Sequence, residues 1–199
     1  MRDEFAGLQT ERFVRNGAGI EPHTSSFLSA QEIRHLYRRA AFAPTVAEIN
    51  AALSRPMSDL VEDLLAPRPT PTEPSWAFNL PYRGQLTSQQ QVDYSNWIRE
   101  LREWWIRQMV GQPLSLTEKM TLFWHGHLAT QYSTVQVPQL HYQLNALVRQ
   151  YALGNFKELV KRVTIDPCML IYLDGVRSTR TAPNENYSRE LMELFTIGI

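Results

Sequence analysis

Two imidazoles stand two residues apart in the run Phe123-Trp124-His125-Gly126-His127, and a short acidic segment near the C-terminus carries Glu185, Glu190 and Glu193 around Arg189. Imidazoles beside carboxylates are the usual makings of a zinc, iron or copper centre. His125, His127, Glu190 and Glu193 are therefore the candidate metal ligands, and a divalent transition metal is the cofactor such a set would hold. Glu190, Arg189 and Glu185 are the candidate catalytic residues of a metal-assisted reaction. The spacing sets a condition on this reading. On a continuous helix, residues i and i+2 point about 200° apart, so the two rings converge only if the helix ends near Gly126. The plain alternative makes Trp124 and His125 core groups and His127 a surface residue.

Asn186, Glu190 and Glu193 fall at i, i+4 and i+7, so they line one stripe of a helix, opposite Tyr187, Leu191 and Leu194. Such a stripe supplies carboxylate ligands or a base. It is equally a solvated face on which Glu185 and Arg189 form an i, i+4 surface pair, or on which Arg189 holds a glutamate in a structural network. Other chemistries find no support. Ser, Cys and Thr form no nucleophile elbow, and there is no glycine-rich phosphate loop. The single cysteine, Cys168, excludes a disulfide framework and a multi-cysteine metal site; between Pro167 and Met169 it reads as a small buried hydrophobe.

The elements that must position these groups are helical. Residues 1–28 lack periodicity and read as a loosely ordered leader, to which no element is assigned. Ser29-Ala30-Gln31-Glu32, Thr45-Val46-Ala47-Glu48 and Ser115-Leu116-Thr117-Glu118 are three capping boxes, each opening a helix. A short helix from about Ser58 to Leu65 completes a small cluster. Five prolines at 67, 69, 71, 74 and 81 make 66–84 an internal linker, and Trp76 and Phe78 within it imply that it packs back on the body. The longest helix runs from about Ser88 to Val110 on the stripe Tyr94, Ile98, Leu101, Trp105 and Met109. Helices follow over Pro138–Leu153 and Phe156–Ile165, with Asn155 capping the second, then from Asp166-Pro167, and finally from Pro183-Asn184, with Ile197 on the buried side of the last. The expected fold is all-α, an irregular bundle of about eight helices, with 29–199 as a single helical domain.

Twenty basic residues balance 20 acidic ones, which removes the charge excess that nucleic acid or anionic lipid would require. Nucleic acid is therefore not expected as a partner. No uncharged apolar run is long enough to span a membrane, and the first 28 residues show no secretory h-region. Five Trp, eight Tyr and eight Phe exceed what one helical stripe buries. Trp97, Trp104 and Trp105 are either core packing across a wide stripe or exposed aromatics at a protein interface.

Three segments carry a resemblance: Arg34-His35-Leu36-Tyr37-Arg38-Arg39-Ala40-Ala41-Phe42, the Phe123–His127 run, and 182–196, Ala-Pro-Asn-Glu-Asn-Tyr-Ser-Arg-Glu-Leu-Met-Glu-Leu-Phe-Thr. In type and order they resemble the bacterial family called domain of unknown function 1800. Leu153-Gly154-Asn155-Phe156 and Asp166-Pro167 add intermediate matches, so the likeness covers roughly 30–199. The resemblance implies an uncharacterised helical domain with no established reaction. It implies further helices beyond residue 199, a missing C-terminal half that would make this chain a fragment, and it implies export. In similar proteins a histidine stands where this chain has Phe195, which removes one ligand from the metal reading. Two functions are thus carried forward: a metal-assisted enzyme with a histidine and carboxylate site, and a non-catalytic scaffold or partner-binding module.

Overall fold

The structure, a computed structural model, describes residues 13–16, 19–22, 26–42 and 44–196. Its body is an all-α multi-helix bundle. Helices α1 (Ala30–Ala40), α2 (Val46–Ala52) and α3 (Met57–Leu65) form the small first cluster. The first two open on the expected capping boxes: the Glu32 carboxylate accepts from the Ser29 amide at 2.8 Å, and that of Glu48 from the Thr45 amide at 2.7 Å. Ile33, Tyr37, Ile49, Leu60 and Leu64 close this cluster's own core.

The segment 66–87 contains no helix and runs as a strap along α4 (Ser88–Gly111). Prolines deny it helical hydrogen bonds, while its aromatics find partners. The Trp76 ring stacks on Trp97 at 5.6 Å, and its indole N–H donates to Glu100 at 2.8 Å. In return the Trp104 indole donates to the strap carbonyl of Thr72 at 2.8 Å. Trp76, Ile98, Leu101, Trp104 and Tyr142 form a second core. Trp97 and Trp105 pack against it, so all three tryptophans of α4 serve the interior. A capping box absent from the sequence reading, Thr87 with Gln90, starts α4.

The third core lies between α5 (Leu116–His127), α6 (Pro138–Gln150), α7 (Phe156–Thr164), α8 (Pro167–Tyr172) and the closing segment, around Leu128, Leu144, Val148, Leu159, Met169 and Phe195. Asn155 caps α7 as expected. Asp166 caps α8, accepting from the amides of Cys168 and Met169. A 3-10 turn (Gly175–Arg177) leads to α9 (Asn186–Glu190), which passes directly into a π-helical turn over Leu191–Thr196.

Several details depart from the sequence reading, among them the last helix, which begins at Asn186 rather than at Pro183-Asn184. Helix α6 stops at Gln150 rather than Leu153; beyond it the Ala152 and Gly154 amides turn back to the Arg149 and Tyr151 carbonyls three residues earlier. Within the leader 1–28, where no element is expected, β1 (Phe13–Asn16) pairs antiparallel with β2 (Gly19–Pro22), Asn16 opposite Gly19 and Phe13 opposite Pro22. Phe13, Val14 and Ile20 are strand formers, a signal too short to register as alternation. The remaining leader residues 1–12, 17–18 and 23–25 lie outside the described residues, as does Ile197. No helix among the described residues is long and apolar enough to cross a membrane.

Candidate functional site

Helix α5 continues through Gly126 to His127, so the break that would let the two imidazoles converge is absent. The His125 ring stands edge-on to Trp105 at 4.8 Å. Burial holds its pKa below the ordinary histidine value, and the neighbouring His141 adds to that effect. The His127 ring points elsewhere, parallel to Phe123 at 6.0 Å and edge-on to Trp124 at 5.8 Å. Its Nε2 lies 2.8 Å from the Phe195 carbonyl oxygen and donates to it. The structure therefore does bring His127 to the closing segment, through that segment's backbone.

On α9 the guanidinium of Arg189 gathers the polar stripe to itself. It donates to Asn186 Oδ1 at 3.0 Å, to Glu190 Oε1 at 2.8 Å and to Glu193 Oε2 at 3.3 Å. The expected i, i+4 side-chain pair with Glu185 is replaced by these bonds; Glu185 contributes its backbone carbonyl to the Arg189 amide at 2.9 Å. A second correction concerns the apolar side. A π-turn takes more residues per turn than an α-helix, so the register slips by about one position. Leu194, expected inward, is 64% exposed, and Phe195 is the buried residue at 6%. Among the described residues no three or more His, Cys, Asp or Glu side chains are grouped to hold a metal ion.

Sequence reasoning missed the most deeply buried ion pair among the described residues. Glu118, expected as the closing member of a capping box, leaves Ser115 to cap α5 alone, through the Thr117 amide. Its carboxylate instead pairs with Arg149 of α6, Nε to Oε1 at 2.6 Å and Nη2 to Oε2 at 3.1 Å. The two side chains are only 6% and 9% exposed. Around them Trp105 donates its indole N–H to Glu118 at 2.9 Å, Asn145 accepts from Arg149 at 2.7 Å, and the guanidinium lies 5.1 Å from the Trp104 ring centre. The available signal was Asn145 and Arg149 at i, i+4, beside the inward Leu144 and Val148.

Further along α6, His141 donates from Nε2 to the Val135 carbonyl at 2.7 Å, which leaves Nδ1 to accept from the Cys168 thiol at 3.8 Å. Burial pushes that thiol up to about 12 and lowers the pKa of His141, so the pair stays neutral and the cysteine is inert as a nucleophile. The expectation of a small buried hydrophobe at 168 agrees with this.

A cleft of about 830 Å³ opens between the strap and helices α4, α5 and α6, with Trp104, Tyr142, Glu118 and Arg149 among its lining residues. The candidate ligands of α9 do not line it. Residues 35–199 match the family described as "Protein of unknown function (DUF1800)". No curated protein and no solved structure matches the chain.

Proposed function

The chain belongs to the DUF1800 family, and from that premise we propose that it is a helical partner-binding module that docks an apolar protein surface. One observation carries the reading. The rings of Phe123, Trp124, His127, Phe156 and Phe195 form a continuous set, with centroids 4.8 to 6.3 Å apart from one to the next. This set opens to solvent at Phe123, which is 55% exposed and sits beside the exposed Leu122, while the closing turn exposes Met192 and Leu194. Clustered aromatics at a surface favour a partner, since water gains nothing from them. The resemblance implies further helices in longer members of the family, and these are the proposed occupant of the patch.

The test titrates a separately purified polypeptide carrying those helices from a longer family member into the chain. Saturable binding should follow, and Phe123→Asp should weaken it at least about tenfold without lowering the melting temperature, because the ring is already half in water. Absence of a complex at about 100 µM, well above the range of stable interfaces, would remove the reading.

A second reading is a metal-assisted enzyme using His127, Glu190 and Glu193. It is favoured by the His127 contact with a π-turn, a form enriched at functional sites. It requires His127 to exchange the Phe195 carbonyl for an ion. Metal analysis of untagged protein should then give near-stoichiometric transition metal that drops on His127→Ala or Glu190→Ala; protein purified metal-free, and taking up none on addition, would end it.

A further inference from the structure

We propose that the cleft under the proline strap receives the C-terminal end of an extended polypeptide, with its carboxylate on Arg68 and apolar side chains in its last residues. The anchor follows from the balance of charge. Of the residues that line the cleft, only Arg68, Glu118 and Arg149 are charged. Glu118 and Arg149 neutralise one another, which leaves a single positive charge at Arg68. Its Nη2 donates to the carbonyl oxygens of Asp63 at 2.9 Å and Leu114 at 2.7 Å, so groups without charge hold the guanidinium in place. Its Nη1 bonds to no other described residue, and its Nε is buried without a partner. The Asp63 carboxylate pairs with Arg55 instead, at 2.6 Å. A cationic donor left unpaired in this way favours an anion. One net positive charge suits a carboxylate, whereas a phosphate dianion would leave excess negative charge in the cleft.

The strap backbone selects a peptide over a small carboxylate or a sugar. Residues 67–71 are consecutive and all line the cleft. Pro67, Pro69 and Pro71 keep this stretch out of the helical region. The amides of Arg68 and Thr70, and the carbonyls of all five residues, bond to no other described residue. An extended chain laid beside them answers such donors and acceptors with its own main chain, as a strand added to a free edge does. Apolar side chains of that chain meet Leu65, Phe78 and Leu153, which line the same cleft and are all exposed. The volume of about 830 Å³ takes a short peptide end. Phe123 does not line this cleft, so the occupant is additional to the partner proposed above.

Calorimetric titration of the intact chain with acetylated hexapeptides ending in Leu, Val, Ile or Phe tests the proposal, each peptide as the free carboxylate and as the C-terminal amide. At least one carboxylate peptide should bind saturably at a single site. Its amide should bind at least about tenfold more weakly, as loss of a charge-assisted hydrogen bond implies. Arg68→Met should abolish that preference for acid over amide. If Arg68 only held the strap, the variant would lower both affinities and leave their ratio unchanged. N-methylation of alternate peptide amides alters no residue of the protein and should weaken binding at least about tenfold through lost main-chain bonds. Octanoate, maltohexaose and inorganic phosphate serve as comparisons. The proposal is overturned by absence of saturable peptide binding at about 1 mM, the weak end of specific recognition. It is equally overturned by equal affinities of acid and amide, by an acid preference that survives Arg68→Met, by indifference to N-methylation, or by a comparison ligand that binds more tightly than every peptide.

Discussion

Glu118 and Arg149 carry charges that water no longer screens. For a pair so deeply buried, the attraction mostly offsets desolvation, and the large effect appears when one partner is removed. Glu118→Gln keeps an acceptor for the Trp105 indole but leaves the guanidinium uncompensated. Stability should fall by about 3 kcal/mol, or roughly 10 °C in Tm for a chain of this size. The double change Glu118→Leu with Arg149→Met should recover most of that loss in thermal unfolding. A single variant that melts like the parent would show that the pair is hydrated in solution. The buried imidazoles give a second outcome at this scale. His125 and His141 have folded-state pKa values below the ordinary one, chiefly through burial, so the unfolded chain binds protons that the folded chain refuses. Their contribution is present above the unfolded value of about 6.5 and is lost as pH falls below it. The melting temperature should therefore drop between about pH 7 and pH 5, and His125→Leu should shrink the drop. An identical slope in that variant would count against the assignment. His125, His127 and the acidic stripe were all visible in the sequence, whereas Glu118 was not. Its position as the third residue of α5 has a stock local explanation, and the Arg149 that overrides it lies 31 residues away.

Helices were the legible elements, because their signals are local: capping residues, prolines and apolar spacing lie within a few positions of the boundaries they set. What was not legible is a change of helix type within one segment. The apolar residues Tyr187, Leu191 and Leu194 fit an α-period, and that pattern contains nothing to announce the π-turn at 191–196. The reason lies outside the segment. Phe195 turns inward to meet the third core, and its carbonyl meets His127 at 2.8 Å. The slipped register makes a sharp prediction. Phe195→Ala should cost about 3 kcal/mol, as truncation of a buried ring does, whereas Leu194→Ala should change stability by less than about 0.5 kcal/mol. An uninterrupted α-helix would reverse the order, so urea unfolding of the two variants distinguishes the two geometries.

At the scale of the whole molecule, the described residues form three apolar cores joined by contacts of unequal strength. The second and third share α6, which gives Tyr142 to one and Leu144 and Val148 to the other, and the Glu118–Arg149 pair ties α5 to that helix. The first core, in α1 to α3, meets the rest through fewer bonds. Arg68 donates to the Leu114 carbonyl at 2.7 Å, Lys119 lies over the Phe42 ring at 4.4 Å, and Leu114 packs against the cluster. Proteins open in cooperative units set by such differences in connection. Amides of α1 to α3 should accordingly exchange with solvent deuterium through a sub-global opening, well before those of α6, which exchange only on global unfolding. Arg68→Met removes the bond to Leu114 and should speed exchange in α1 to α3 while leaving α6 unchanged. Equal protection across α1, α3 and α6 would mean that the polar contacts fuse the three cores into one unit, and Arg68→Met would then accelerate all of them together.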